Sequence, residues 1–70
     1  MNVTITMRIR EERRARGLTL VELSRISGVS KSHISEIETG KQMPTLQVLC
    51  LLAGALEVSP ENLYRYSIKK

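Results

Sequence analysis

Apolar residues recur through the middle of the chain at three- and four-residue intervals, the spacing that puts them on one side of an α-helix. Leu46, Leu49, Leu52, Ala53 and Leu56 form the densest series, and Leu23 with Ile26 and Ile34 with Ile37 form shorter ones. Toward both ends the period drops to two. Val3 and Ile5 alternate with polar residues near the start, and Tyr64, Tyr66 and Ile68 do so near the finish. The middle therefore predicts amphipathic helices, whereas the flanks suit short strands.

Glycine and proline cut this pattern into segments. Gly17, Gly28 and Gly40 stand where helices should stop, because glycine enters the left-handed conformation of a helix C-terminus without a Cβ penalty. Before Gly17, residues 7–16 read as a charged surface helix with one narrow buried edge at Met7, Ile9 and Ala15. After it, Thr19, Leu20, Val21 and Glu22 have the S/T-x-x-E form of a capping box, which starts a second helix over 20–27 with Leu23 and Ile26 inward. Ser30 caps a third helix, 30–39, whose buried edge is Ile34 and Ile37. Pro44 breaks the chain, Thr45 caps a fourth helix over 45–56, and Ser59 followed by Pro60 opens a short fifth over 60–65. The sum is an all-α chain of five helices in a single domain, 1–70, with short extended flanks at its two ends. These flanks are expected to pair with each other, within one subunit or between two.

Composition narrows the function more than the fold. Seventy residues, 41% of them apolar, close only a small core, so a partner subunit would add stability. Eleven Lys and Arg against seven Asp and Glu give a net charge of +4, a balance that attracts polyanions through counterion release. There is no Phe and no Trp, so the chain lacks the aromatic platforms on which single-strand readers stack bases. One Cys and one His exclude an internal disulfide and a self-contained Cys/His zinc site. Cys50 reads as a small core residue of the fourth helix, and His33 as a half-exposed helix residue without a special task. The N-terminus lacks the basic-then-apolar order of a secretory signal, and the mainly apolar run Leu46 to Leu56 has eleven residues against the ~20 of a membrane helix. A cytoplasmic protein is expected, with no membrane, no small-molecule ligand, no cofactor and no metal. No paired carboxylates, nucleophile and base, or glycine-rich phosphate loop can be assembled, so an enzyme is not expected either.

The second and third helices carry the most specific arrangement. Two short helices that cross steeply through a tight turn need a small residue where they touch and apolar residues on their facing sides. Counted from the small Ser24, the residues Leu23, Gly28, Val29, Ile34 and Ile37 supply an inward side chain, the turn glycine, a plug after the turn and the inner edge of the next helix. This is the spacing of a helix-turn-helix over Leu20 to Ile37.

At this point the string RIREERRARGLTLVELSRISGVSKSHISEIETGKQMPTLQVLCLLAGALEVSPENL, Arg8 to Leu63, resembles the XRE-type (lambda-repressor-like, Cro-like) DNA-binding domains. The capping box, GVS before the third helix, IETGK after it and the proline before the fourth carry the resemblance. It implies a compact five-helix bundle that binds double-stranded DNA as a homodimer, with the third helix of each subunit in successive major grooves ~34 Å apart. The base-reading positions then fall on Lys31, Ser32 and Glu36, with Ser35 nearby, and the phosphate contacts on Ser30, Lys41 and Gln42. Lys31 can donate to guanine O6 and N7, and Glu36 can accept from a donor such as cytosine N4. The resemblance also implies a structural ion pair between the first helix and the end of the third, which falls on Arg13 and Glu38. At Leu20 relatives often place a polar residue, commonly glutamine, that grips the DNA backbone and braces the first reader; leucine does neither.

Gln47, Leu51 and Gly54 share one face of the fourth helix, opposite its core stripe. A mid-helix glycine costs ~1 kcal/mol against alanine, which fits close approach of another backbone, such as one of the flanks. Leu51 and Gly54, with Tyr64 and Tyr66, are the candidate dimer or partner surface. The leading expectation is a nucleoid-associated dimeric repressor that acts by occupying a near-palindromic operator. The alternative is a protein-interaction module, an antitoxin or partner-binding regulator, for which DNA contact is secondary.

Overall fold

The computed structural model describes residues Met1–Lys70 in the order β1 (Asn2–Met7), α1 (Ile9–Ala15), α2 (Leu20–Ser27), α3 (Lys31–Glu38), α4 (Leu46–Leu56), a 3₁₀ turn (Pro60–Leu63) and β2 (Tyr64–Lys69). Hydroxyl side chains start the three central helices. Thr19 Oγ1 accepts from the Glu22 amide at 3.1 Å while the Glu22 carboxylate accepts from the Thr19 amide at 2.8 Å, closing the capping box of α2. Ser30 Oγ accepts from the His33 amide and Thr45 Oγ1 from the Val48 amide, each at 3.1 Å, which begins α3 and α4. Gly28, at φ 77°, ends α2 in the left-handed conformation and turns the chain toward Ser30.

The all-α, five-helix architecture expected from the pattern is not what the chain adopts. It has four helices and a two-stranded antiparallel sheet. The segment read as a fifth helix over 60–65 is the single turn Pro60–Leu63, and Tyr64 and Arg65 already belong to β2. So short a helix leaves nearly all its amides and carbonyls without intrahelical partners. From Tyr64 onward a ladder with β1 supplies backbone partners instead, and the alternating aromatic and β-branched residues of β2 fit it. The register runs from Asn2↔Lys69 to Met7↔Tyr64, so the flanks pair within one chain and Met7 closes a strand instead of opening a helix. At the base of this ribbon the Arg8 amide donates to the Leu63 carbonyl at 2.8 Å, which hands the chain to α1.

All four helices and the 3₁₀ turn contribute to one buried cluster: Ile9, Leu23, Val29, Ile34, Ile37, Leu49, Leu52, Ala53, Leu56 and Leu63. Four residues expected inside lie outside. Ile26 is 58% exposed, because the inner edge of α2 continues from Leu23 to the small Ser27, whose hydroxyl accepts from the buried Val29 amide at 3.1 Å. Leu46 is 79% exposed at the first position of α4, ahead of the turns that meet the core. Ala15 and Cys50 are exposed, the latter one residue, about 100°, round the helix from the buried Leu49. Gly54 is approached by nothing in the chain; a Cβ there would meet no atom within 4 Å, so the flanks do not lie over it.

The ribbon itself is two-sided. Directly opposed residues of an antiparallel pair share a face. Val3, Ile5 and Met7 with Ile68, Tyr66 and Tyr64 make one face apolar, and Asn2, Thr4 and Thr6 with Lys69, Ser67 and Arg65 make the other polar. Met7 and Tyr64 pack against the core, while the residues further out are exposed, and the molecule measures 40 × 21 × 20 Å. No helix is long and apolar enough to cross a membrane.

Candidate nucleic-acid interface

α3 is anchored along one side and open along the other. Ile34 and Ile37 are fully buried, and with them inward the opposite side presents Ser30, Lys31 and Ser32, all exposed, followed one turn later by the half-buried Ser35 and Glu36. No acidic residue stands in the first turn, so the positive end of the helix dipole beside Lys31 is not neutralised by a side chain. The segment after α3 folds back onto it. The Lys41 and Gln42 amides both donate to the Glu36 carbonyl, at 2.9 and 3.3 Å, and the Thr39 hydroxyl donates to the Ser35 carbonyl at 3.0 Å. Lys41 and Gln42 are thereby held exposed beside the last turn of α3. The seven residues assigned to base and phosphate contact form one continuous stretch of surface along α3 and the loop that follows it.

The Thr19 and Glu22 amides are consumed by the capping box, leaving those of Leu20 and Val21 at the helix end. The Glu22 carboxyl is held below the usual glutamate range by the hydrogen bonds it accepts from the Thr19 backbone and makes with its side chain, so a negative charge sits at that end. Leu20 is half-buried and packs against the core, which makes it a packing residue where a phosphate contact was a family alternative.

Behind the exposed side, a carboxylate and two guanidinium groups tie α1 to the end of α3. Arg13 donates from Nε to Glu38 Oε2 at 2.8 Å and from Nη2 to Oε1 at 3.0 Å, and its Nη1 donates to the Leu18 carbonyl at 2.9 Å. Arg10 adds a third contact to Oε1 at 3.3 Å. The Glu38 side chain is only 2% accessible. Burial pushes its pKa up, but the hydrogen bonds and positive charges of Arg13 and Arg10 outweigh burial and leave it below the usual carboxylate range. The hydrogen bond to Glu38 raises the Arg13 pKa against the opposing effect of burial. Arg10 and the Leu18 carbonyl were not anticipated. Arg10 lies three residues before Arg13 on the same helix face, a spacing that could have flagged it.

Leu51, Gly54, Tyr64 and Tyr66 do not form one surface. Tyr64 lines a groove with Leu49, and Leu51 and Gly54 lie about 200° and 140° round α4 from Leu49. No three His, Cys, Asp or Glu side chains come together in a metal-binding group.

Residues 9–63, from the first residue of α1 to the end of the 3₁₀ turn, match the helix-turn-helix family HTH_3, and the chain belongs to this family, of the XRE type. The immunity repressor of Bacillus phage phi105 is 36% identical over 56 residues, 80% of this chain and 39% of that protein. Among solved structures, the restriction-modification controller protein C.AhdI from Aeromonas hydrophila matches with a TM-score of 0.75 and 35% identity, covering 77% of this chain and 82% of that one. The N-terminal DNA-binding domain of SinR from Bacillus subtilis matches with a TM-score of 0.75 and 38% identity, covering 79% and 81%, and SinR in complex with DNA gives 0.74. The chain spans about 40% of the length of the curated relatives it matches first. Both strands of the ribbon fall outside the matched residues.

Proposed function

We propose that this chain is a sequence-specific, double-stranded DNA-binding transcriptional regulator, a dimeric repressor that reads a near-palindromic operator through α3. The observation that carries the reading is the polar run of exposed Lys31 and Ser32 and half-buried Ser35 and Glu36 on a helix whose other side is locked into the core. Ser30, Lys41 and Gln42 border it with backbone-binding groups, and the net charge of +4 supplies the attraction to phosphate. SinR, a relative of the same fold, has been solved in complex with DNA. Residues 1–70 work as one unit, without catalysis, in the cytoplasm on nucleoid DNA. Selection of bound duplexes from a random library tests this: recovery of a near-palindrome is expected, and binding without sequence preference would overturn it.

A further inference from the structure

The outer part of the ribbon's apolar face is covered by nothing in the chain. Ile5 is 44% exposed, Val3 and Ile68 are each 54% exposed, and Tyr66 is 67% exposed. An isolated two-stranded ribbon is marginal in water and gains stability when a face is packed. At the base of this face lies a groove of about 200 Å³ lined by Ile5, Met7, Met43, Pro44, Leu49 and Tyr64. That is smaller than the ~300–1,000 Å³ of most small-molecule sites. It exceeds the ~150 Å³ cavity that holds a benzene, so it suits one or two aliphatic side chains.

The ribbon tip presents such side chains, Val3 and Ile68, but four strand residues, about 13 Å, separate them from Met7 and Tyr64 at the base. One molecule cannot place its own tip in its own groove. Charge repeats this arrangement. Lys70 stands at the tip, whereas at the base Glu61 lies beside Tyr64, Arg65 and Tyr66, its carboxylate bonded by the Ser59 hydroxyl.

We propose that this face binds a second copy of the chain, laid antiparallel across it about a two-fold axis. Val3 and Ile68 of each copy enter the groove of the other, and Lys70 lies over the facing Glu61. A two-fold interface requires a self-complementary patch, and here projection and groove occur on one face at a separation that only a second molecule spans. The proposal deepens the dimeric reading above by naming its surface, and rests on that reading only for the role of the dimer on DNA. A face about 20 Å long and 10 Å wide has an outline of roughly 200 Å², roughly 400 Å² over both copies before side-chain relief and the groove add to it. Stable interfaces bury ~1,200–2,000 Å², so the free dimer is weak and concentration-dependent.

Sedimentation equilibrium of the full chain over a micromolar-to-millimolar range tests it, with circular dichroism confirming that each variant is folded. The wild-type chain is expected to show a reversible monomer–dimer equilibrium. Ile68→Lys and Val3→Lys should each raise the dissociation constant at least about tenfold, Glu61→Lys several-fold and less at high salt, and Leu51→Lys not at all. In a Cys50→Ser background, Met43→Cys with Ile68→Cys should oxidise to a covalent dimer, a readout independent of the lysine variants. A chain monomeric throughout overturns the proposal, as does a dimer lost with Leu51→Lys but kept with Ile68→Lys, or a cysteine pair that closes only within one chain. Ribbon-mediated dimers that select no duplex sequence would retire the operator reading and leave this interface standing; a selected palindrome with no effect of Ile68→Lys on dimerisation would retire only the interface.

Discussion

The helix-turn-helix and the β-ribbon stand at opposite ends of a scale of local support. In α2 and α3 the ends are closed by residues three positions away, Thr19 with Glu22 and Ser30 with the His33 amide, and the inner edges are fully buried. In the ribbon the backbone partners are the two ends of the chain, and only Met7 and Tyr64 reach the core. A region stabilised by its sequence neighbours can offer one rigid, exposed side to a ligand, because its other side does the anchoring. A region assembled from distant segments, with one face left bare, is suited to being completed by another molecule.

The largest loss is expected at the junction of α1 and α3: Arg13→Ala should cost ~3–5 kcal/mol in urea unfolding, because it strands the buried Glu38 carboxylate with only Arg10 beside it. The same pair sets a pH dependence. The folded Glu38 carboxyl releases its proton at lower pH than in the unfolded chain, so its stabilisation is complete above the ordinary glutamate value of ~4.3 and is lost as pH falls through the folded value. Glu38→Gln should flatten that acid limb, and an unchanged limb would show that other carboxylates govern it.

Next in size, Ile34→Ala should cost ~2–5 kcal/mol while Ile68→Ala costs under ~1 kcal/mol in the monomer; equal losses would remove the distinction between a packed and a bare region. On DNA, Lys31→Ala should lose ~1–3 kcal/mol of affinity and relax preference at one base pair, with little change in thermal stability. Uniform weakening over all sequences would make Lys31 a phosphate contact. Smallest is Thr19→Ala, about 1 kcal/mol of stability from the lost cap, measurable as a shift of the urea midpoint.

The same contrast explains how far the sequence could be read. Capping hydroxyls, the turn glycine and the three- and four-residue spacing of apolar positions act over one or two turns, so the starts of α2, α3 and α4 and the exposed side of α3 follow from the residues themselves. Ile26 and Ser27 mark where this stops. Both lie near the inner edge of α2, and the buried Val29 amide, which needs an acceptor, decides in favour of the serine. Arg10 is another such case, because its place on Glu38 depends on where α1 crosses the end of α3.

Local chemistry alone thus determined the helix-turn-helix, its caps, and a polar run on α3 fit to meet DNA. Tertiary structure decided that the fifth helix is a single turn, that the two flanks join into one ribbon, and that its apolar face stays open to solvent. The physical reason is the reach of the interactions. A cap or a helical period is satisfied within four residues, whereas a strand is stable only beside a partner, and here that partner lies at the other end of the chain.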